Sequence, residues 1–201
     1  MGRRSDHSRA ELEALILAEG HRLMADVGFA RFSAREVAKR IGYAVGTLYN
    51  VFGSYDMLLA AINTRTFELW AAHLEDRLAA PSAERIAALV EGYFSFAADN
   101  MNLWTAIYDH RLPLDMAMPE ALVTRRAALT EVVVREVAAI LPPETKDRAP
   151  RLARSLVATV HGHCTFALNG SFALLGETAP LEMAIARVRE SLIAAGATIA
   201  D

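Results

Sequence analysis

Apolar residues recur along this chain every three to four positions, and no stretch alternates with the period of two that a half-buried strand requires. The pattern therefore fills the chain with helices. Leu12, Leu15, Ile16, Leu23 and Val27 share one side of a first helix over about Arg9–Val27, which Gly28 stops as a C-cap. Ser33 and Glu36 have capping-box spacing, so a second helix starts there, with Val37, Ala38 and Ile41 as its stripe and Gly42 as its end. The turn Gly42-Tyr43-Ala44 leads into a third, short helix of about Val45–Val51. Gly53-Ser54 ends it, and Ser54 caps a long helix over Tyr55–Ala79.

Further on, Pro81 closes the long helix and Ser82 caps the next, to about Asn100, whose inward set includes Ile86, Leu89, Val90, Tyr93 and Phe94. A shorter helix begins at Met101, and a loop covers residues 113–118. Pro119 opens a helix to Leu141, ended by Pro142-Pro143. Another runs from about Arg151 to Leu175, and the last from near Pro180 to about Gly196. The expected fold class is all-α.

Composition narrows the setting. Apolar residues make up 53% of the 201 residues and charged ones 22%, enough for a packed core. The single cysteine, Cys164, excludes a disulfide framework and fits a reducing, cytoplasmic location. The opening MGRRSDHSRAELEALILAEGH lacks the apolar run of a signal peptide. The long uncharged stretch Leu156–Gly176 is broken by His161, His163 and Asn169, so it reads as a buried helix and not as a membrane span. Charge is uneven: residues 1–55 hold 8 Arg and Lys against 6 Asp and Glu, and the remainder holds 13 against 18. A basic head on an acidic body suggests that the head meets a polyanion.

Two short helices joined by a tight glycine turn make a helix-turn-helix. Its second helix must be short, firmly docked and polar on one side. Leu48 and Phe52, four apart, can anchor it, while Thr47, Tyr49 and Asn50 offer hydroxyls and an amide to phosphates or base edges. Gly46 permits close approach of the backbone to a phosphate. Arg35, Lys39 and Arg40 decorate the preceding helix, which crosses the DNA backbone in this motif.

Residues 29–59 resemble the signature of TetR-family transcriptional regulators. Phe29, Ser33, the Val37-Ala38 pair, Gly42, the run Gly46-Thr47-Leu48-Tyr49, Phe52, Ser54, Asp56 and the Leu58-Leu59 pair stand at its anchor positions. The resemblance implies a three-helix DNA-binding domain over residues 1–54 and a larger helical ligand-binding and dimerisation domain over residues 55–201. It implies double-stranded operator DNA as partner, a homodimer and a ligand-released repressor, and the aromatic residues of the body imply a small apolar or aromatic effector. The implied DNA-contacting set is Ser33, Arg35, Lys39, Ala44, Val45, Gly46, Thr47, Tyr49, Asn50 and Tyr55. Four positions depart from the family pattern: Ala44 stands for the usual capping Ser, Val45 for a polar or basic residue, Val51 for His and Tyr55 for Lys. An absent cap costs about 1 kcal/mol.

In the body, the candidates for a ligand site are Phe67, Trp70, Tyr93, Phe96, Trp104, Tyr108, His110, His161 and Phe166, because ligand pockets are mostly apolar with a few placed polar groups. Core filling accounts for many of these aromatics equally well. Trp104, Tyr108 and His110 precede an irregular loop where a cavity mouth could form, and Ala106 is the position at which a larger side chain would fill it. The hairpin of helices over residues 121–141 and 151–175 is the candidate dimer face, with Ser155, Ala158, Thr159, Gly162 and Thr165 small enough for close approach. The helix over Tyr55–Ala79 is the lever that would carry a ligand signal to the DNA face.

No cofactor is expected. His161 and Cys164 share a helix side but His163 points away, and no second cluster completes a zinc set. No nucleophile elbow, phosphate-binding loop or dinucleotide fingerprint occurs, so an enzyme is not expected. The competing reading is a helical enzyme or metal-binding protein with an incidental helix-turn-helix-like segment; metal analysis with a salt-dependent DNA-binding assay separates the two.

Overall fold

The computed structural model describes residues 7–79 and 84–198, and among these every regular element is helical. Ten α-helices follow one another: α1 Arg9–Val27, α2 Ala34–Ile41, α3 Val45–Phe52, α4 Tyr55–Ala79, α5 Arg85–Asp99, α6 Met101–Asp109, α7 Glu120–Ile140, α8 Ala149–Leu168, α9 Ser171–Leu174 and α10 Pro180–Ala194. The expected all-α class holds. The closure at Pro81 and the cap at Ser82 lie outside the described residues.

The chain forms two compact units. The first comprises the chain up to Glu68 and residues 100–126; the second comprises residues 69–99 and the chain from Ala127 onward. This division differs from the boundary after residue 54. The start of α4 supplies Leu58, Leu59 and Ile62, and α6 supplies Leu103 and Ala106, to the same core as Ile16, Met24, Val37 and Leu48. A helix that buries its apolar side in a core belongs to that core wherever it falls in sequence. Ala106 is fully buried there, so a larger side chain at this position overpacks the first unit and fills no effector cavity.

Local chemistry explains the short helices. A complete capping box stands at α1, where Ser8 Oγ accepts from the Glu11 N–H at 3.3 Å and the Ser8 N–H donates to Glu11 at 2.7 Å. At α2 only half of the expected box forms. Ser33 Oγ accepts from the Glu36 N–H at 3.4 Å, but the Glu36 carboxylate turns to Arg40. Gly42 then takes a left-handed φ of 77°, which lets the chain turn directly into α3. Ser54 Oγ accepts from the Met57 N–H at 3.1 Å and starts α4. Side-chain amides tie α6 into the unit: Asn102 donates to the Ala25 carbonyl at 2.7 Å, and Asn63 donates to that of Ala106 at 3.2 Å.

In the second unit α8 packs on α10 and α5. The helix expected over 151–175 is broken. Asn169 ends α8 and Gly170, at φ 79°, starts the four-residue α9, because a left-handed residue cannot continue a right-handed helix. The segment after Pro142 forms a 3-10 turn over Pro143–Arg148 and then runs into α8.

Candidate nucleic-acid interface and effector cavity

The first candidate site is the surface of α2 and α3. Leu48 is fully buried, and Val45, Tyr49, Val51 and Phe52 pack partly against the same core. α3 therefore has a docked side and an open side. Ala44, Gly46 and Asn50 are exposed on the open side, with Thr47 half-buried beside them. Arg35 and Lys39 are exposed on α2, and Tyr55 stands exposed at the start of α4. Ser33 is half-buried and engaged in its cap. Of the expected contact set, Val45 and Tyr49 are half-buried and pack against the apolar core. For Tyr49 this docks the ring, and the hydroxyl at its tip is the group left for a polar partner.

Arg40, counted with the basic face in the sequence, is committed elsewhere. It donates to Glu36 at 3.0 Å and to the buried Glu19 at 3.3 Å. Two contacts at the ends of α3 escaped the sequence reading. His7 Nδ1 and the Tyr43 hydroxyl lie 2.8 Å apart, and Arg9 donates to the Val51 carbonyl at 3.3 Å. Both residues lie far from α3 in sequence, and a lone polar residue before a helix carries no signal of its partner.

No side chain caps α3, as the alanine at position 44 foretold. The Thr47 N–H turns back to the Ala44 carbonyl at 2.9 Å, and this end of α3 carries the positive end of the helix dipole. A Cβ built on Gly46 would meet nothing within 4 Å, so the fold itself does not require a glycine there.

The second candidate site is an apolar cavity of about 40 Å³ in the second unit. Its wall is Leu74 of α4; Ile86, Leu89, Val90 and Tyr93 of α5; Val133 and Val137 of α7; Leu156, Val157 and Val160 of α8; and Val188 of α10. Of the residues expected to bind a ligand, Tyr93 lines it. Its hydroxyl lies 3.0 Å from His161 Nδ1, and burial holds the His161 pKa below its ordinary value. Trp70 and Phe96 are stacked 5.0 Å apart with Tyr93 edge-on to Trp70, a core arrangement. Phe166 is exposed on α8 and meets Phe172 edge-on. The remainder lie in the first unit: Phe67 beneath the Arg126 guanidinium at 4.5 Å, Trp104 buried edge-on to Tyr108, and His110 joined to Asp56 at 3.2 Å. They do not line this cavity. Ile86, Leu89, Val90 and Tyr93 of its wall were visible in the sequence as inward-facing residues, but spacing alone cannot distinguish a cavity wall from filled core.

The charges beside the cavity are neutralised among themselves. Glu136, next to Val137 and buried, accepts two bonds from Arg85 at 2.6 and 2.9 Å and one from Arg135 at 3.1 Å. The Arg85 hydrogen bond, followed by that of Arg135, holds its carboxyl below the usual range against the effect of burial. Among the described residues no group of three or more His, Cys, Asp and Glu is placed to hold a metal. Burial pushes the Cys164 thiol up to about 12, far from a reactive thiolate. No helix among the described residues is long and apolar enough to cross a membrane.

A helix-turn-helix with an open face, joined in one chain to a helical unit with an apolar cavity, defines the class of protein: a DNA-binding regulator with a ligand-binding domain. Residues 16–62 match the model of the bacterial regulatory proteins of the tetR family, and residues 86–188 match that of the tetracyclin repressor-like C-terminal domain. The chain belongs to the TetR family of transcriptional regulators. It is similar to a solved protein of unknown function from Rhodococcus sp. RHA1, at 25% identity and TM-score 0.69 over 96% of this chain and 98% of that one. A TetR-family transcriptional regulator from Streptomyces coelicolor shares the fold at 17% identity and TM-score 0.62, over 96% of this chain and 82% of that one. So does the multidrug binding protein EbrR, solved with imidazole, at 22% identity and TM-score 0.61 over 92% and 96%. No curated protein matches the chain.

Proposed function

We propose that the protein is a cytoplasmic homodimeric repressor that binds operator DNA through α2 and α3 and is released by a small, uncharged, apolar effector held in the second unit. The observation that carries the DNA reading is the open face of α3, uncapped and free of acidic residues, flanked by exposed Arg35 and Lys39. Phosphate contacts position such a helix and base contacts specify the site. The test is a duplex titration at low salt with wild type and Tyr49→Phe. Loss of a phosphate-directed hydroxyl weakens binding to specific and random DNA alike. Equal affinity of the two proteins for both DNAs removes Tyr49 from the interface, and no binding by wild type removes the function.

The effector class follows from the cavity wall. It is aliphatic, and Tyr93 paired with His161 is the polar group that reaches it. The nearby carboxylate of Glu136 is already satisfied by two guanidinium groups, so a cation finds no counter-charge there. A 40 Å³ cavity admits an alkyl group and not a whole effector, so binding has to part the surrounding side chains. Leu74 of that wall and Leu58, Leu59 and Ile62 of the DNA-binding core stand on the same helix, α4. Movement of α4 is therefore the proposed signal. Half-sites lie about 34–36 Å apart, so a small change in the separation of two recognition helices breaks joint engagement. An effector of this kind lowers operator affinity by about 5–150-fold; a ligand that binds free and DNA-bound protein equally well disproves the release mechanism.

A C2 dimer supplies the second half-site. On α8 Ser155, Ala158 and Gly162 are exposed on one side, and a Cβ on Gly162 would meet nothing within 4 Å. Ala158→Glu on this face yields monomers by light scattering, and a wild type that is itself monomeric at micromolar concentration rules the dimer out.

A further inference from the structure

We infer that α3 reads A·T base pairs: the core of each half-site is specified by adenine through Asn50 and by thymine methyl groups through Thr47 and Ala44, with no guanine contact from this helix. The inference rests on the proposal that α2 and α3 bind DNA, and goes beyond it by naming the bases. It comes from what the open face of α3 holds and what it lacks.

The stretch from Ile41 to Tyr55 contains no Asp, Glu, Lys, Arg or His. In the major groove the strong bidentate contact to guanine O6 and N7 comes from Arg or Lys, and cytosine is read by an acidic side chain accepting from N4, whereas a hydroxyl such as that of Thr47 does not by itself select a base. α3 has neither a basic nor an acidic side chain. Its exposed polar side chain is Asn50, whose amide can accept from adenine N6 and donate to N7 in one plane. Beside it on the open side stand the half-buried Thr47, with a methyl group and a hydroxyl, and the exposed Ala44, with a methyl group. The thymine C5-methyl is the base-edge group that rewards an apolar contact. Gly46, one turn before Asn50, adds no side chain to the face and has no atom within 4 Å of the place a Cβ would occupy, so the helix can lie close to the DNA at that level.

The neighbouring cations do not supply the missing guanine contact from α3 itself. Arg40 is held by Glu36 and Glu19. Arg35 and Lys39 are exposed on α2, the helix that crosses the backbone in this motif, where their charge serves phosphates. Charge for affinity and base recognition are thus divided between the two helices.

The test is in vitro selection of the full-length protein on a randomised duplex library, followed by titration of the selected site. The expected site has A·T pairs at the positions that Asn50→Ala makes indifferent. Replacing the A·T pair opposite Asn50 by G·C lowers wild-type affinity by about 5–150-fold, and Asn50→Ala abolishes that discrimination, binding the A·T and G·C sites equally. Replacing thymine by uracil within the core, which removes the methyl alone, also weakens binding. Because Asn50 is exposed, the variant is expected to keep the wild-type melting temperature, which is measured alongside. A selected core of G·C pairs, or an Asn50→Ala protein with unchanged base preference, overturns the inference while leaving the DNA-binding reading intact. Recovery of no DNA by selection, with no binding to random duplex at low salt, overturns both.

Discussion

The DNA-facing site and the effector cavity are built in opposite ways. The first is one continuous run, Ile41–Tyr55, held by a left-handed glycine turn on one side and a serine cap on the other. The wall of the second draws on α4, α5, α7, α8 and α10, from Leu74 to Val188. A site within one run is positioned by short-range chemistry that residues a few places apart determine together. A site drawn from five helices exists only after long-range packing is complete. The first should be the more rigid, and the second the more tolerant of substitution.

The largest effect separates them directly. Leu48 is fully buried at the centre of the DNA-binding core, so Leu48→Ala costs about 2–5 kcal/mol and removes DNA binding. Val160 already borders a void, so Val160→Ala removes fewer contacts, costs less and widens the cavity. Denaturant unfolding of both variants decides the matter. The chain carries one tryptophan in each unit, Trp104 in the first and Trp70 in the second, so single-tryptophan variants report the units separately. Equal costs at the two positions would contradict the contrast.

Next in size is the ion cluster beside the cavity. Arg85→Ala leaves the buried Glu136 carboxylate with Arg135 alone and costs about 1–3 kcal/mol, read on the Trp70 signal. A carboxyl held below its usual range contributes stability that is present above that range and is lost as pH falls through its folded value. That contribution therefore fades as pH falls below the usual carboxylate range, and the loss is absent from Arg85→Ala to the extent that Arg85 caused it.

The first unit titrates earlier. His21 on α1, beside Thr66 at 3.2 Å, has its pKa pushed from 6.5 down to about 4 by burial and then by Arg65. The unfolded chain takes up the proton before the folded one, so this unit loses stability as pH falls from about 6.5 towards about 4 and regains it above 6.5. His21→Gln flattens that limb on the Trp104 signal and leaves the Trp70 signal unchanged. A Trp104 transition that is level over this interval would show that His21 is not held neutral.

The same contrast explains what the sequence disclosed. Ser54 as a cap, Gly42 as a turn, Leu48 as an anchor and the absent cap at Ala44 are short-range facts, and each could be read from residues two to four apart. Even so, the Ser33–Glu36 pair formed only half its box, because Arg40, held as well by Glu19 of another helix, claimed the glutamate. The aromatics grouped as ligand-site candidates divide between the two units. Trp70 and Trp104 are alike as sequence signals, yet they fall in different units. The cavity wall is aliphatic apart from Tyr93, and periodicity cannot distinguish those aliphatics from core. The break at Gly170 was missed because the apolar residues beyond it, Phe172, Leu174 and Leu175, continue a helical rhythm although the last two are exposed.

The smallest effect concerns glycines inside helices, which normally cost about 0.5–1 kcal/mol relative to alanine. Gly20 and Gly92 have a reason within the fold: a Cβ would meet Ile62 at 2.8 Å or Leu74 at 2.7 Å. Gly46 on α3 and Gly162 on α8 have none, since a Cβ there meets nothing within 4 Å. The two are exposed, one on the proposed DNA face and the other on the proposed dimer face. Alanine at either position should therefore raise the stability of the folded chain by about 0.5–1 kcal/mol, with no intramolecular contact disturbed. The functional changes should diverge. Gly46→Ala places a methyl group where DNA has to approach, so DNA affinity falls although the protein is more stable, and the dimer is unaffected. Gly162→Ala leaves affinity for a single half-site unchanged and weakens the dimer, seen as a higher dissociation constant in sedimentation. A gain in stability at Gly46 accompanied by unchanged DNA affinity would mean that α3 does not approach DNA at its second residue, and the orientation of the recognition helix would have to be reassigned.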